Sequence, residues 1–515
     1  MATSNPSATS TVADGTVQPA IGEQQPLVTS EPQAPQAAPA KPASHDTVPP
    51  PALLDFMMKR WKPQAKKLPP KLKNAAAFRA RRKALSKLFP GETLIIPTGH
   101  EKVRANDTYY RFRPGTDFYY LSGNMEPDCV LVLQPKEGGG HTDILFVEPN
   151  PGRSDATFFT DRRKGELWEG PRLGVPESKA RYAVDEARGL NELTSYLSGL
   201  SGAVSRPTRV LRGYSPMVDT TVSEGGERDK QLAQALSEMR LLKDAQELSE
   251  LQASIDSTHR GFEDVIRGLK TAKTERYVEG IFNLRARVEG NDVGYNTIAA
   301  SGAHACVLHW RHNDGPLVPG DLLLLDAGVE GQTLYTADIT RTLPISGKFS
   351  KEQREIYELV LEAQTQAIKA VKPGNDFMEP NRVAMRVLAE GLEALGILED
   401  AEDALKDEHQ FYKRYSLHNV SHMLGLDVHD CAQARQEAYK YGKLQPGMVL
   451  TVEPGLYFQP DDLTVPKRYR GIGVRIEDDV VVTERGCKVL SAKIPREARD
   501  VEAWMKSVWK AAKKK

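Results

Sequence analysis

Three short runs of apolar or strand-forming residues in the second half of the chain each end on a carboxylate. The runs 322–325, 449–452 and 473–476 lead into Asp326, Glu453 and Glu477 (LLLLDAG, VLTVEPG and GVRIEDD). Such runs read as buried strands. An acid at the end of a buried strand is costly unless it is paired or holds a metal. The chain must therefore fold so that these acids face partners. Asp338 in YTADITRT and His422 in HNVSHMLGLDVHD complete a set of five. Each acid alone could serve as a turn residue or a structural ion-pair member, Asp338 most readily. Taken together, four carboxylates and one imidazole form a hard, oxygen-rich set suited to two divalent ions of the Mn, Co, Zn or Fe kind. Two such ions ~3.5–4 Å apart can share and acidify one water for attack on a carbonyl.

The other imidazoles need separate roles. His418, His422 and His429 share one segment, and a helical His-x-x-x-His pair would bind zinc. Gly425 and the strand-like LGLDV argue instead for a strand or turn that separates the three rings. Only His422 is then assigned to metal, while His418 and His429 become donors to a substrate carbonyl or its oxyanion. His309, in VLHWRHN, is a further candidate, balanced against a packing role. His304 and His312 have little to recommend them. His259 lies on an apolar helical stripe and reads as packed, and Cys431 lacks a partner cysteine and reads as structural.

The rest of the chain bounds the setting. Its 515 residues carry 69 Lys+Arg against 69 Asp+Glu, which argues against a body built to clamp nucleic acid. Four scattered cysteines exclude a disulfide scaffold and fit a reducing, cytoplasmic setting. No apolar run approaches the ~18 residues of a membrane span, and the first residues lack the pattern of a secretory signal. Residues 1–55 form a Pro/Ala/Ser/Thr-rich tail, expected to be disordered. The segment 56–91 holds 12 Lys/Arg and no acid. Within it, 74–89 reads as an amphipathic helix with Phe78, Leu85, Leu88 and Phe89 inward and the arginines solvated. Strands are expected at 93–96, 118–121, 129–133, 143–147 and 208–211, with helix over 184–200. These belong to a small α/β domain spanning 56–215. A linker at 216–235 precedes a mixed helix-and-strand domain over 236–505. That domain has a long helix across 241–269 and another opened by the capping box Ser350–Gln353. The Lys-rich end, 506–515, reads as a solvated, fraying helix.

The segments DAG…TADITRTLPISGKF, HMLGLDVHD, LQPGMVLTVEPGLYF and VPKRYRGIGVRIEDDVVVT, in order, resemble aminopeptidase P. This is the Xaa-Pro branch (M24B) of the dinuclear pita-bread metallopeptidases. NDTYYRFRPGTDFYYLSG and ELWEGPRLG are similar to that family's N-terminal domain, and the resemblance covers about residues 74–505. It implies an α/β (α+β) fold: a small N-terminal domain followed by a catalytic domain with a curved, mostly antiparallel sheet. It implies that Asp326, Asp338, His422, Glu453 and Glu477 hold two divalent ions, most readily Mn2+, with Asp338 and Glu477 bridging. Glu453 would also shuttle a proton, His429 and His309 would steady the scissile carbonyl, and His418, Tyr457 and Arg475 would line a proline pocket. Peptides with proline second are the implied substrates, and a homodimer or homotetramer is implied, with Asp117 and Trp168 at a cross-subunit rim. Two features depart from the pattern. An additional residue between Asp326 and Asp338 is expected in the 330–334 turn. Asn419 stands where glycine is usual, tolerable if φ is positive there. The alternatives are a prolidase restricted to Xaa-Pro dipeptides and a non-catalytic binding module.

Overall fold

The computed structural model describes residues 48–62, 67–200 and 207–512. Most of the expected N-terminal tail therefore lies outside the described residues, as do the last three lysines.

The first half builds a five-stranded mixed sheet. Its order is Glu186–Gly189, His141–Val147, Val130–Pro135, Thr93–Pro97 and Thr208–Val210, with antiparallel pairs at the centre and a parallel strand at each edge. The central strands are apolar because both faces are covered. Leu94, Leu131 and Leu145 face one core, and Ile95, Val132 and Ile144 the other. Two expectations fail here. Residues 118–121 lie within a helix, Thr116–Ser122, closed by Gly123 at φ 66°. This end requires the left-handed conformation that glycine adopts freely. The stretch 184–200 divides into the strand Glu186–Gly189 and the helix Leu193–Gly199.

The basic segment also differs from expectation. Its helix, Ala75–Leu88, buries Phe78 and Leu85 as anticipated, but Leu88 is exposed while Arg81 and Arg82 are inside. Arg82 donates to Asp143 (2.6 Å) and to the carbonyls of Leu121 and Ala183. Arg81 reaches Asp244 and Glu247 across the domain junction. These two cations are structural and are not available to phosphates.

Two helices, Pro216–Thr221 and Glu227–Met239, span the expected linker and lead to the long helix Ala245–Gly268. Asp244 caps that helix, accepting from the backbone N–H groups of Gln246 and Glu247, while Glu247 accepts from the Asp244 N–H. The expected capping box at Ser350 and Gln353 likewise opens Lys351–Ala370. His259 packs half-buried against Trp504. The C-terminal helix, Ala498–Ala512, docks rather than frays at Trp509, whose indole N–H donates to the Ile266 carbonyl.

These helices flank antiparallel sheets. Leu322–Ala327 lies between Ile339–Pro344 and Ile298–Ser301. Asp478–Thr483 lies between Val449–Val452 and Gly486–Val489, and Gly455–Tyr457 pairs with Gly473–Arg475. The chain turns sharply between Asp326 and Asp338, through residues 331–335 with buried Leu334 at φ 64°, where the additional residue was expected. Asn419 is not among the positive-φ residues, so its replacement of glycine needs no special conformation.

Candidate metal centre

The expected ligands come from separate strands held in fixed register. Asp326 sits opposite Thr340 on the neighbouring strand. Asp338 immediately precedes Ile339–Pro344, and its N–H donates to Asp479 (3.2 Å). Glu477 follows Gly473–Arg475. Its N–H donates to the Thr340 carbonyl, and its carboxylate accepts from the Thr340 hydroxyl at 2.7 Å. Glu453 ends Val449–Val452 and His422 lies alongside that strand. The Thr451 N–H donates to the His422 carbonyl, and the Glu453 N–H to that of Val420. Backbone pairing thus fixes the ligand positions before any side chain turns.

Donor atoms of Asp338, His422 and Glu477 lie within 4.8 Å of one another. His422 Nε2 is 3.3 Å from Asp338 and 3.5 Å from Glu453. Asp326 joins through Tyr295, whose hydroxyl lies 2.6 Å from Asp326 and also contacts Asp338. Arg475 donates to Asp326 at 2.6 Å. All five expected ligands therefore converge.

The electrostatics suit a divalent cation. Burial and the neighbouring acids push Glu477 well above the usual carboxylate range, and Asp338 is raised by burial and by Asp326. Burial, opposed by the His422 charge and helped by Asp338, pushes Glu453 up to about 7. Burial alone would lower His422, but its hydrogen bond to Asp338 and the charge of Glu453 raise it to about 9. Four buried or nearly buried acids share two nearby protein cations, Arg475 and His422. This is a site with excess negative charge and oxygen donors, and it fits divalent metal.

The imidazoles divide by role. The segment 418–429 is not helical, yet His422 and His429 are not separated: their rings are 4.5 Å apart, edge to face. His418 does stand apart. Arg475 donates to the Tyr457 hydroxyl (2.9 Å), and the hydroxyl lies 2.7 Å from His418 Nε2. His418 Nδ1 is 2.9 Å from the Asn419 carbonyl. These partners assign a neutral ring with its proton on Nδ1. Both nitrogens are engaged, so His418 has none left for an oxyanion. Burial and Arg475 lower His418 to about 4, and burial and His422 lower His429 to about 4. Burial and Arg475 also lower His309. Among the described residues, the rings of His309 and His429 make no hydrogen bond to protein, and both residues are exposed.

Several features escape the sequence reading. Tyr295 lies in a turn with no periodic signal, and the buried Asp479 behind Asp338 looks like one more acid in EDD. Asp117 is not at a rim. It is buried in a contact with Arg240, which also donates to Asp430 at 2.9 Å. Trp168 is about half exposed, its N–H donating to the Phe159 carbonyl. His304 stacks on Trp310, and Cys431 is buried with its thiol pushed up to about 12 by burial.

Comparison with known proteins gives the same direction. Residues 249–484 match the model of metallopeptidase family M24, and residues 78–208 that of the aminopeptidase P N-terminal domain. Xaa-Pro aminopeptidase 1 of Streptomyces coelicolor is 51% identical over 435 residues, covering 84% of this chain and 87% of the relative. Xaa-Pro aminopeptidase of Escherichia coli is 35% identical over 444 residues, covering 83% and 97%. The solved structure of E. coli aminopeptidase P in its low-pH form superposes with a TM-score of 0.76 at 33% identity, covering 86% of this chain and 99% of that one.

Proposed function

Because the chain belongs to the aminopeptidase P branch of metallopeptidase family M24, with that family's N-terminal domain and pita-bread catalytic domain, we propose that it removes the first residue from peptides with proline second. The observation that carries this reading is the convergence of Asp326, Asp338, His422, Glu453 and Glu477 beside two free imidazoles. The domain limits 56–215 and 236–505 are part of the same reading, supported by the two family matches.

Those five residues would hold two divalent ions, Mn2+ foremost. When bound, the ions supply the positive charge that makes water nucleophilic near neutral pH. The chain's own groups do the rest. Glu453, whose carboxylate lies 3.5 Å from His422, can accept a proton and release it to the departing proline nitrogen. His309 and His429 are the rings free to steady the scissile carbonyl. Tyr457 and His418, locked by Arg475, offer a rigid wall to a proline ring. The Xaa-Pro bond lacks an N–H, so a site built on shape and metal suits it better than one that needs that donor.

The four cysteines are free, which supports a cytoplasmic setting, and among the described residues no helix is long and apolar enough to cross a membrane. A homodimer or homotetramer is part of the proposal, supported by exposed Leu167 and Trp168 on the N-terminal domain. Protein stripped of metal, then given single ions, should regain hydrolysis of Xaa-Pro-Yaa peptides, with Mn2+ most effective. Turnover of Xaa-Pro dipeptides alone would make it a prolidase. No hydrolysis with any ion would leave a binding module.

A further inference from the structure

Glu275 is a fully buried carboxylate that the chemistry above does not use. It is the first residue of the helix Glu275–Glu289, behind the loop that carries His309. Its Oε1 accepts from the Ser301 N–H (2.7 Å) and lies 2.8 Å from His304 Nδ1. Its Oε2 accepts from the Trp310 indole N–H (2.8 Å) and the Gly315 N–H (2.7 Å). Four donors match the lone-pair sites of one carboxylate. They come from the start, both flanks and the end of the loop, with His309 next to one of them.

The loop is built around this acid. The His304 and Trp310 rings stack at 3.9 Å. A Cβ at Gly315 would lie 2.6 Å from the His304 ring and 2.9 Å from Glu275, so only glycine fits there. Asn313, buried at φ 46°, makes a second tie. It accepts from the Ala299 N–H and donates to the Thr297 carbonyl. Both ties end on the strand Ile298–Ser301 or beside it, and that strand pairs with the one bearing Asp326. His309 itself has no side-chain hydrogen bond to protein among the described residues, so no hydrogen bond of its own fixes it and the loop's ties set where it is carried.

We propose that Glu275 is a positioning residue that fixes His309 against the metal centre without touching substrate. This rests on the reading of His309 as the carbonyl-binding ring. Both carboxylate oxygens are required as acceptors. Glutamine would place an NH2 against two of the four donors and leave them unsatisfied. A group displaced by about 1 Å through such a remote change loses on the order of a hundredfold in rate.

The test is a double-mutant cycle on metal-loaded protein. Glu275→Gln should lower kcat/KM for an Xaa-Pro-Yaa peptide by roughly ten- to a hundredfold with metal content unchanged. In a His309→Ala background the same change should cost almost nothing, because its effect passes through that ring. Hydrogen exchange over 302–316 should quicken in Glu275→Gln. Should that variant fail to fold, Trp310→Phe removes one donor and keeps a ring, and should show a smaller loss that His309→Ala also cancels. A loss that persists in the His309→Ala background, or unchanged loop exchange, overturns the proposal. A wild type inactive on these peptides would sink the exopeptidase reading instead, and loop exchange would still decide whether Glu275 holds the loop.

Discussion

Replacing the proposed proton shuttle, Glu453→Gln, should stabilise the metal-free fold, and more so as pH rises. Glu453 sits among Asp326, Asp338 and Glu477. Burial first, and then the charges of Asp338 and Asp326, lift its carboxyl from 4.5 to about 7 against the pull of His422 and Arg475. The unfolded chain ionises this group from near 4.5, while the native state withholds ionisation until about 7. The stability of the wild type is therefore retained below pH 4.5 and lost as pH climbs through about 7. That climb, at ~1.36 kcal/mol per pH unit, is worth roughly 3 kcal/mol. Glutamine has the shape of the protonated acid and does not titrate. Urea unfolding of metal-free protein should show the two forms nearly equal at about pH 4, with the variant ahead by roughly 3 kcal/mol at about pH 8. Adding a divalent ion should close the gap, because the wild type gains binding energy that the variant, short of one ligand, cannot match. A variant less stable than wild type at the higher pH, or a gap that does not widen between the two, would refute the picture of crowded, mutually repelling acids awaiting a cation.

Three further outcomes follow from the same geometry. Tyr295→Phe deletes the hydroxyl that bridges Asp326 and Asp338 and should weaken metal binding about 10–100-fold, read by competition with a chelator, without unfolding the protein. Gly328→Ala would put a Cβ 1.6 Å from the Ala337 carbonyl oxygen, wedging the hairpin between Asp326 and Asp338. It should cost at least ~3 kcal/mol by denaturant unfolding and reduce metal uptake. Arg341→Met removes the buried guanidinium 2.8 Å from Asp478, leaving that acid only the Gln364 and Ser491 donors and the more distant Arg496, and should cost about 3 kcal/mol in the same assay.

The ligand set was legible because burial and charge conflict within a few residues: an acid closing an apolar strand needs a partner wherever the strand goes. The misreadings share a different cause. Arg81 and Arg82 looked solvated because the basic segment has no acid of its own, and their partners Asp143, Asp244 and Glu247 lie far along the chain. The run 118–121 looked like a strand because four apolar residues do not reveal a period. Gly123, which ends the helix, was the available signal. Tyr295 and Glu275 gave none, since a tyrosine in a turn and a glutamate opening a helix are both ordinary.

Asp117 and Asp430 show most clearly what spacing cannot say. Asp430 adjoins His429 in VHD and invites a catalytic reading. Yet it is held by Arg240 and Lys243, its pKa lowered by those two cations against the opposing effect of burial. Arg240 in turn grips Asp117 of the first domain. The Asp430 N–H donates to the Met423 carbonyl, one residue past His422. A single guanidinium thus ties the N-terminal domain to the loop bearing a metal-ligand candidate and a carbonyl-binding candidate. The two domains are consequently coupled through this guanidinium, and an acid beside a carbonyl-binding candidate is there to hold the loop, as Glu275 is proposed to hold the other.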